Sequence, residues 1–313
     1  FDERGESAYY LSVNRNKCSL AADLEDEGDR RLLERLVAGA DVVVDNFRRG
    51  TLERRGLDPE RLLAAHPGLV WCTISGFGRD SDRPGYDFVI QAERGWMSIT
   101  GEPDGPPLKV GVALADVIAG KDAAIAILAA LVERGRTGRG RRVHVSLAQS
   151  AAAALVNVAQ NALVSGAEAK RWGNAHPNLV PYQLFDAADR PMVLAVGNDA
   201  QWHACARALA LHDLAEDSAL ATNAGRLAAR AAVVARLAAR LRERPAAEWK
   251  ERLDAVGVPN GVVKGVLDVL REVEADPRTG VAPSVPGTVR RAPPLLDEHG
   301  DAIRAAGWEA LGR

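Results

Sequence analysis

The chain has 313 residues, 47% of them hydrophobic, enough to bury a sizeable core in one large domain or two ordinary ones without disulfide or metal. Its 40 basic and 42 acidic residues leave a net charge of -2, which gives no electrostatic case for nucleic acid or an anionic membrane surface as partner. The three cysteines, Cys18, Cys72 and Cys205, are widely spaced and form no CxxC pair; this usage fits a reducing, cytoplasmic compartment and small buried side chains.

In chain order, the charged opening Asp2-Glu3-Arg4-Gly5-Glu6 follows Phe1 rather than Met and reads as an incomplete N-terminus, with no signal peptide. Tyr9 to Leu24 reads as strand-like. Asp29 to Gly39 reads as an amphipathic helix with Leu32, Leu33, Leu36 and Val37 on one side. Ala40 to Val44 is a short apolar strand of the kind buried in parallel sheets, and Asn46 to Gly50 is the loop after it. Two short helices, Leu52 to Arg55 and Pro59 to Ala65, lead to a second strand, Leu69 to Ser75. This alternation predicts a parallel α/β sheet.

The loop Gly76 to Gly85 is rich in Gly, Asp and Arg, and a helix is expected from about Tyr86 to Trp96. A connector, Thr100 to Pro107, leads to an expected strand from Lys109 to Leu114 and a long helix from Asp116 to Arg134. No apolar run reaches the roughly 18 residues of a membrane span; Ala123 to Leu131 is ended by Glu133 and Arg134. A basic turn, Arg134 to Arg142, has five arginines among glycines with no interleaved aromatic residues, so it reads as a solvated hairpin. A strand, Val143 to Leu147, and an Ala-rich helix to about Val164 follow. His144 alternates with valines and reads as a surface or satisfied histidine.

Composition changes near Gly173. Met192 to Gly197 is a strand, and Trp202 to Leu253 is helical and rich in Ala, Arg and Leu, a separate module. The last stretch, Val285 to Arg313, is Pro-rich and extended until a closing helix near Ala302. There is no internal repeat.

The familiar chemical signatures are missing. No GxxxxGK[ST], GxGxxG, HExxH or GxSxG occurs, and the six histidines show no metal-ligand spacing. What stands out is Asp116, within Gly111-Val-Ala-Leu-Ala-Asp116-Val-Ile-Ala-Gly120. A lone acid at the start of a helix ordinarily caps it or stands in solvent. Here flanking glycines let backbone and ligand approach, and a carboxylate so placed can serve as a covalent nucleophile.

Many stretches, in order, carry a family likeness. They are Asn14-Arg-Asn-Lys-Cys-Ser-Leu20, Ala40-Asp-Val-Val-Val-Asp-Asn-Phe-Arg-Arg-Gly50, Gly76-Phe-Gly78, Pro84-Gly-Tyr-Asp87 with Gln91, and Thr100-Gly-Glu-Pro-Asp-Gly-Pro-Pro107. Asp116-x-x-x-Gly120, Thr137-Gly-Arg-Gly140, His176-Pro177 with Pro181-Tyr182, Gly197-Asn198 with Gln201-Trp202, and Val258-Pro259 follow. From Tyr10 to Leu311 the sequence resembles the family III CoA-transferases, the formyl-CoA and carnitine-CoA transferase type, without that family's N-terminal strand–helix–strand.

The resemblance implies a Rossmann-like large domain with a parallel sheet plus a smaller, mostly helical α+β domain, in an interlocked homodimer. The expected bounds are 1–170 for the N-terminal part of the large domain, 174–263 for the small domain and 264–313 for the return to the large one. It implies transfer of CoA from an acyl-CoA to a carboxylic acid, with Asp116 passing through a mixed anhydride and an aspartyl-CoA thioester. No permanently bound cofactor is implied; CoA is carried as substrate. The implied CoA contacts are Leu24 on the Ala22 to Glu25 strand end, Asn46, Phe47, Arg48, Arg54, Arg83, Gly85 and Tyr86. Physically, the three arginines can pair with phosphates, and Phe47 or Leu24 can flank adenine. Gly197 matches a flexible glycine lid of relatives, but only one glycine stands there. Trp96 and Met97 are candidates for the acyl pocket.

Two other readings share the likeness. α-Methylacyl-CoA racemases use a His with the same Asp, and Tyr86 occupies that His position; a phenol is a poor α-proton base at neutral pH. A catalytically idle CoA-binding homologue is the third reading.

Overall fold

The computed structural model describes residues 4–281 and 287–312; Phe1, Asp2 and Glu3 of the charged opening, Val285 and Pro286 of the final stretch, and Arg313 lie outside the described residues. The chain divides into two compact units, one of residues 1–99, 108–169 and 270–313, the other of residues 100–107 and 170–269.

The first unit begins with α1 (Ala8–Val13) and α2 (Glu27–Ala38). Strand β1 (Val42–Asp45) is followed by α3 (Thr51–Arg54) and α4 (Pro59–Ala65), then β2 (Val70–Ser75). Helices α5 (Asp87–Glu93) and α6 (Trp96–Ile99) precede the long α7 (Leu114–Thr137). Strand β3 (Arg142–Ser146) completes the sheet, α8 (Leu147–Ala153) and α9 (Val156–Ser165) follow it, and the helix Gly300–Ala306 near the chain's end belongs to the same unit. The three strands are parallel in the order β1-β2-β3, with Asp45 opposite Thr73 and Thr73 opposite His144. The expected parallel sheet is therefore present. Val70, Trp71 and Cys72 are buried in its middle, and all three strands end on the same side, where open parallel sheets bind ligands.

Long-range bonds tie the first residues of this unit to its last ones. Arg15 Nη1 donates to the Thr279 carbonyl at 2.7 Å, Arg304 Nη2 to that of Ala21 at 2.7 Å, and Trp308 Nε1 to that of Leu36 at 2.8 Å.

Four sequence expectations are corrected. Tyr9 to Leu24 is not strand-like: Ser7 Oγ accepts from the Tyr9 N–H and starts α1, and the rest is irregular because its polar groups are taken by distant partners. Asn16 Oδ1, for example, accepts from the Arg290 N–H at 2.7 Å. Lys109 to Leu114 is no strand either, since the Val110 N–H goes to Gln91 Oε1 at 2.8 Å rather than to a neighbouring strand. The helix expected from Tyr86 to Trp96 is broken at Gly95 into α5 and α6, and the one expected up to Val164 is broken into α8 and α9, bent by 69°. Among the described residues no single helix is long and apolar enough to cross a membrane; that bent pair passes the length and composition test only jointly.

Helix α7 packs through small residues. Ala115, Ala119, Ala123 and Ala130 are buried, while Val117, Ile125, Leu128 and Val132 on other faces are exposed. It stops at Gly138 in the left-handed conformation (φ 70°), with Arg134 and Arg136 complementing the carbonyl end of its dipole. In the basic turn, Arg134 pairs with Asp41, Arg141 with Glu133 and Arg142 with Glu60.

The second unit holds an antiparallel sheet, β4 (Tyr182–Asp186), β5 (Pro191–Ala195) and β6 (Asn260–Val262), covered by five helices. These are α10 (Asp199–Ala208), α11 (His212–Glu216), α12 (Asn223–Ala228), α13 (Arg230–Leu241) and α14 (Ala246–Asp254). Its core packs Met192 and Leu194 against Trp202, Leu237, Leu241 and Trp249. Arg226 is buried there, donating to three carbonyls and pairing with Asp199 at 2.8 Å. Gly197 and Asn198 serve the start of α10: Gln201 Oε1 accepts from the Gly197 N–H, and Asn198 Oδ1 caps the helix. Cys205 is sealed in this core, and burial pushes its thiol up to about 12.

Gly140 sets the approach of β3 to β2. A Cβ there would lie 1.9 Å from the Leu69 carbonyl oxygen. Gly140→Ala is expected to lower stability by about 3 kcal/mol, the scale of overpacking against rigid backbone. A urea midpoint indistinguishable from wild type would contradict this account of the sheet.

Candidate active site

A cleft opens at the strand ends of the first unit. Its rim is built by Asn46 to Gly50 after β1, the loop 76–86 after β2, the first turn of α7 and the start of α8. It is lined by Asp116 together with Asn46, Phe47, Arg48, Arg83, Gly85 and Tyr86, so seven of the residues singled out from the sequence converge.

Asp116 occupies the third position of α7, with Ala113 as N-cap. Ala113 offers no side-chain cap, and the helix start is completed from elsewhere. Asp87 Oδ1 accepts from the Ala115 N–H at 2.8 Å, and its Oδ2 accepts from Gln91 Nε2 at 2.7 Å. Gln91 is fully buried and, through Oε1, holds the Val110 N–H of the segment approaching α7. Among the described residues no acceptor takes the Asp116 N–H, which is left at the open end of the helix. Its carboxylate reaches the cleft, yet enough protein surrounds it that desolvation, then the negative charge of Asp87, raises its pKa above the ordinary aspartate range. The helix dipole pulls the other way.

The other predicted contacts divide. Phe47 and Tyr86 are exposed toward solvent, available for an aromatic ligand face. Arg83 is already engaged: it donates to both Glu93 carboxylate oxygens, at 3.1 and 2.5 Å, and lies 4.0 Å over the Phe77 ring. The pairing holds the Glu93 carboxyl below its ordinary range. A phosphate at Arg83 therefore has to compete with Glu93. Gly85 packs backbone to backbone on Gly76, where a Cβ on Gly85 would stand 2.4 Å from the Gly76 Cα, and this contact pinches the neck of the loop.

Two predicted residues are not brought to the cleft lining. Leu24 packs with Leu33, Val37 and Trp71 in a core cluster, because an apolar side chain beside α2 finds more burial there. Arg54 donates to Thr51 Oγ1 at 3.2 Å, beside Gly50. Trp96, a candidate for the acyl pocket, is core: it is buried among Ile90, Ala119 and Ala151 and donates to the Ala151 carbonyl at 2.8 Å. Met97 is absent from the lining as well.

The cleft also holds Asp45, Thr73, Ser75, Arg79 and Arg142, which the sequence does not single out, and His144, which it reads as a surface or satisfied histidine. His144 faces the cleft rather than bulk solvent. Burial first, then Arg79 and Arg142, lower its pKa, with Asp45 and Asp80 opposing. The signal for these is positional: Asp45, Thr73, Ser75, Arg79 and His144 lie on or just beyond an expected parallel strand, and Arg142 directly before one. Among the described residues no three His, Cys, Asp or Glu side chains are grouped to hold a metal ion.

Comparison with known proteins accords with this arrangement. The profile of CoA-transferase family III matches residues 1–300. A succinate–glutarate CoA-transferase of Agrobacterium fabrum is 40% identical over 88% of this chain and 69% of its own length. A mouse succinyl-CoA:glutarate CoA-transferase is 37% identical over 94% of this chain and 72% of its own. Among solved structures, a CAIB/BAIF family protein from Brucella suis matches with a TM-score of 0.86 and 40% identity, over 97% of this chain and 86% of that one. The chain belongs to CoA-transferase family III. It is a CoA-transferase, an enzyme that moves coenzyme A from an acyl thioester to a free carboxylic acid.

Asp87 has a readable electrostatic effect. Asp87→Asn removes a negative charge that raises the Asp116 pKa, so the acid limb of kcat/KM is expected to move to lower pH. An unmoved limb, or one moved upward, would remove Asp87 as a cause.

Proposed function

We propose that Asp116 is the covalent nucleophile of the transfer. Its carboxylate attacks the thioester carbonyl of the donor acyl-CoA, the C–S bond breaks, and CoA leaves as thiolate, giving an acyl-aspartyl anhydride. The thiolate then attacks the aspartyl carbonyl; the donor acid departs and an aspartyl-CoA thioester remains. The acceptor carboxylate attacks that thioester, releasing thiolate and forming the second anhydride. Thiolate attack on its acceptor-side carbonyl yields the new acyl-CoA and regenerates Asp116. A carboxylate suits this cycle because it can both accept an acyl group and become one.

The observation that carries the reading is the position of Asp116 at the open end of a 24-residue helix, facing a cleft at the ends of parallel strands. There the free Asp116 N–H and the positive end of the dipole are placed to stabilise developing oxyanions. Phe47 and Tyr86 offer faces for the adenine, and Asn46 and Arg48 polar contacts for the phosphates, with Gly85 allowing close approach. Arg83 joins them after exchanging Glu93 for phosphate, while Arg54 and Leu24 lie outside the cleft lining. The names of the relatives point to short dicarboxylic acids as the exchanged acids. Racemisation is the weaker reading, since the residue beside Asp87 is the phenol of Tyr86, a poor base for an α-proton at neutral pH.

The protein is further proposed to act as a cytoplasmic homodimer, interlocked as in its family, without membrane or nucleic-acid partner. Exposed apolar side chains on α7 (Ile125, Leu128, Val132) and α9 (Leu163, Val164) support a covering subunit.

Asp116→Asn removes the nucleophile and little else. Transfer is expected to fall by at least about 10³-fold, while CoA binding persists. Because the folded state binds the Asp116 proton more tightly than the unfolded chain, stability falls as pH rises through the raised pKa. The Asn variant should therefore be no less heat-stable at neutral pH. Transfer at more than a tenth of the wild-type rate would refute the assignment.

A further inference from the structure

Strand β1 ends in a carboxylate, where its preceding residues are valines. Asp45 is 9% exposed, and among the described residues no cation forms an ion pair with it. Such a group is expensive to bury unless hydrogen bonds replace its water. Three do. Oδ2 accepts from Trp71 Nε1 at 2.7 Å and from Thr73 Oγ1 at 2.8 Å, and Oδ1 accepts from the Phe47 N–H at 3.2 Å. The first two donors are fixed by sheet register, since Thr73 is directly opposite Asp45 and Trp71 lies two residues before it on the same strand. The third donor belongs to the loop that carries Asn46, Phe47 and Arg48 into the cleft.

We infer that Asp45 is a positioning residue for substrate binding: it ties the Asn46 to Gly50 loop to the rigid floor of the sheet and so presets the surface that receives the CoA moiety. The inference rests on the reading of this cleft as the CoA site. The chemistry explains why a carboxylate stands there. All three partners donate, and an ionised carboxylate accepts from all of them, whereas an asparagine in the same pose would turn an N–H₂ toward either the Phe47 N–H or the pair on β2. Asp45 is not among the reacting groups, so its loss should weaken capture of the thioester rather than the chemical steps at Asp116.

The test compares wild type, Asp45→Asn and Thr73→Val in the full chain. Thr73→Val removes one donor only and serves if the Asn variant does not fold. Three readouts are taken: CoA affinity by calorimetry, KM for acyl-CoA and for the acid acceptor with kcat, and thermal midpoint. Asp45→Asn is expected to raise the CoA Kd and the acyl-CoA KM roughly tenfold. Thr73→Val should raise both about threefold. The acceptor KM should hold and kcat should change less than about twofold. Folded variants whose CoA Kd matches that of a CoA-binding wild type would overturn this inference alone. A parallel loss in kcat and both KM values would overturn it too, by marking general distortion. A wild type that binds no CoA would overturn the assignment of the cleft and this inference with it.

Discussion

The bond between the Asp87 carboxylate and the Ala115 N–H fixes the start of α7, and the position of Asp116 follows from it. A helix that begins with Ala113, Leu114 and Ala115 has no capping side chain of its own. Without a partner from α5 its first turn would fray, and the carboxylate on that turn would have no defined place. Gln91, buried and four residues beyond Asp87, completes the clamp by holding the approach segment at Val110. The sheet behind contributes rigidity: β2 leads into the loop before α5, and β3 leads into α8.

The clamp has an electrostatic consequence. Desolvation opposes ionisation of Asp116, and the group that caps the helix, itself an acid, adds its charge to that effect. The helix N-terminus favours ionisation. A carboxylate held between these influences is more basic than one in water, and under the proposed mechanism that strengthens it as a nucleophile toward a thioester carbonyl. In the proposed cycle it is also a poorer leaving group, but it leaves only in the last step, where the attacking species on the second anhydride is a thiolate.

How far the sequence could be read follows from how local each interaction is. The strands around Val42–Val44 and Val70–Cys72 were visible because apolar runs of that length between turn residues are local patterns. The helix after Asp116 was visible through its alanines. The segments at Tyr9 and Lys109 escape a local pattern because their polar groups find distant partners: the Asn16 N–H goes to the Arg291 carbonyl and Asn16 Oδ1 accepts from the Arg290 N–H, while the Val110 N–H goes to Gln91 Oε1, contacts that no window of neighbouring residues contains. Seven of the predicted site residues line one cleft: six lie on the loops that follow β1 and β2, and Asp116 on the first turn of α7. Leu24 and Trp96 went to cores instead, as their apolar surface favours. Asp45 escaped notice because an acid after three valines looks like the end of a strand in solvent; only the register that brings Trp71 and Thr73 beside it makes it a buried acceptor.

The most direct measurement of the central claim is intact mass of the full-length protein mixed with succinyl-CoA or another short acyl-CoA, with and without hydroxylamine. The account predicts an adduct of acyl or CoA mass that hydroxylamine removes and that maps to the peptide holding Asp116. No adduct under turnover, with deuterium instead entering the α-carbon of a branched acyl-CoA, would contradict it.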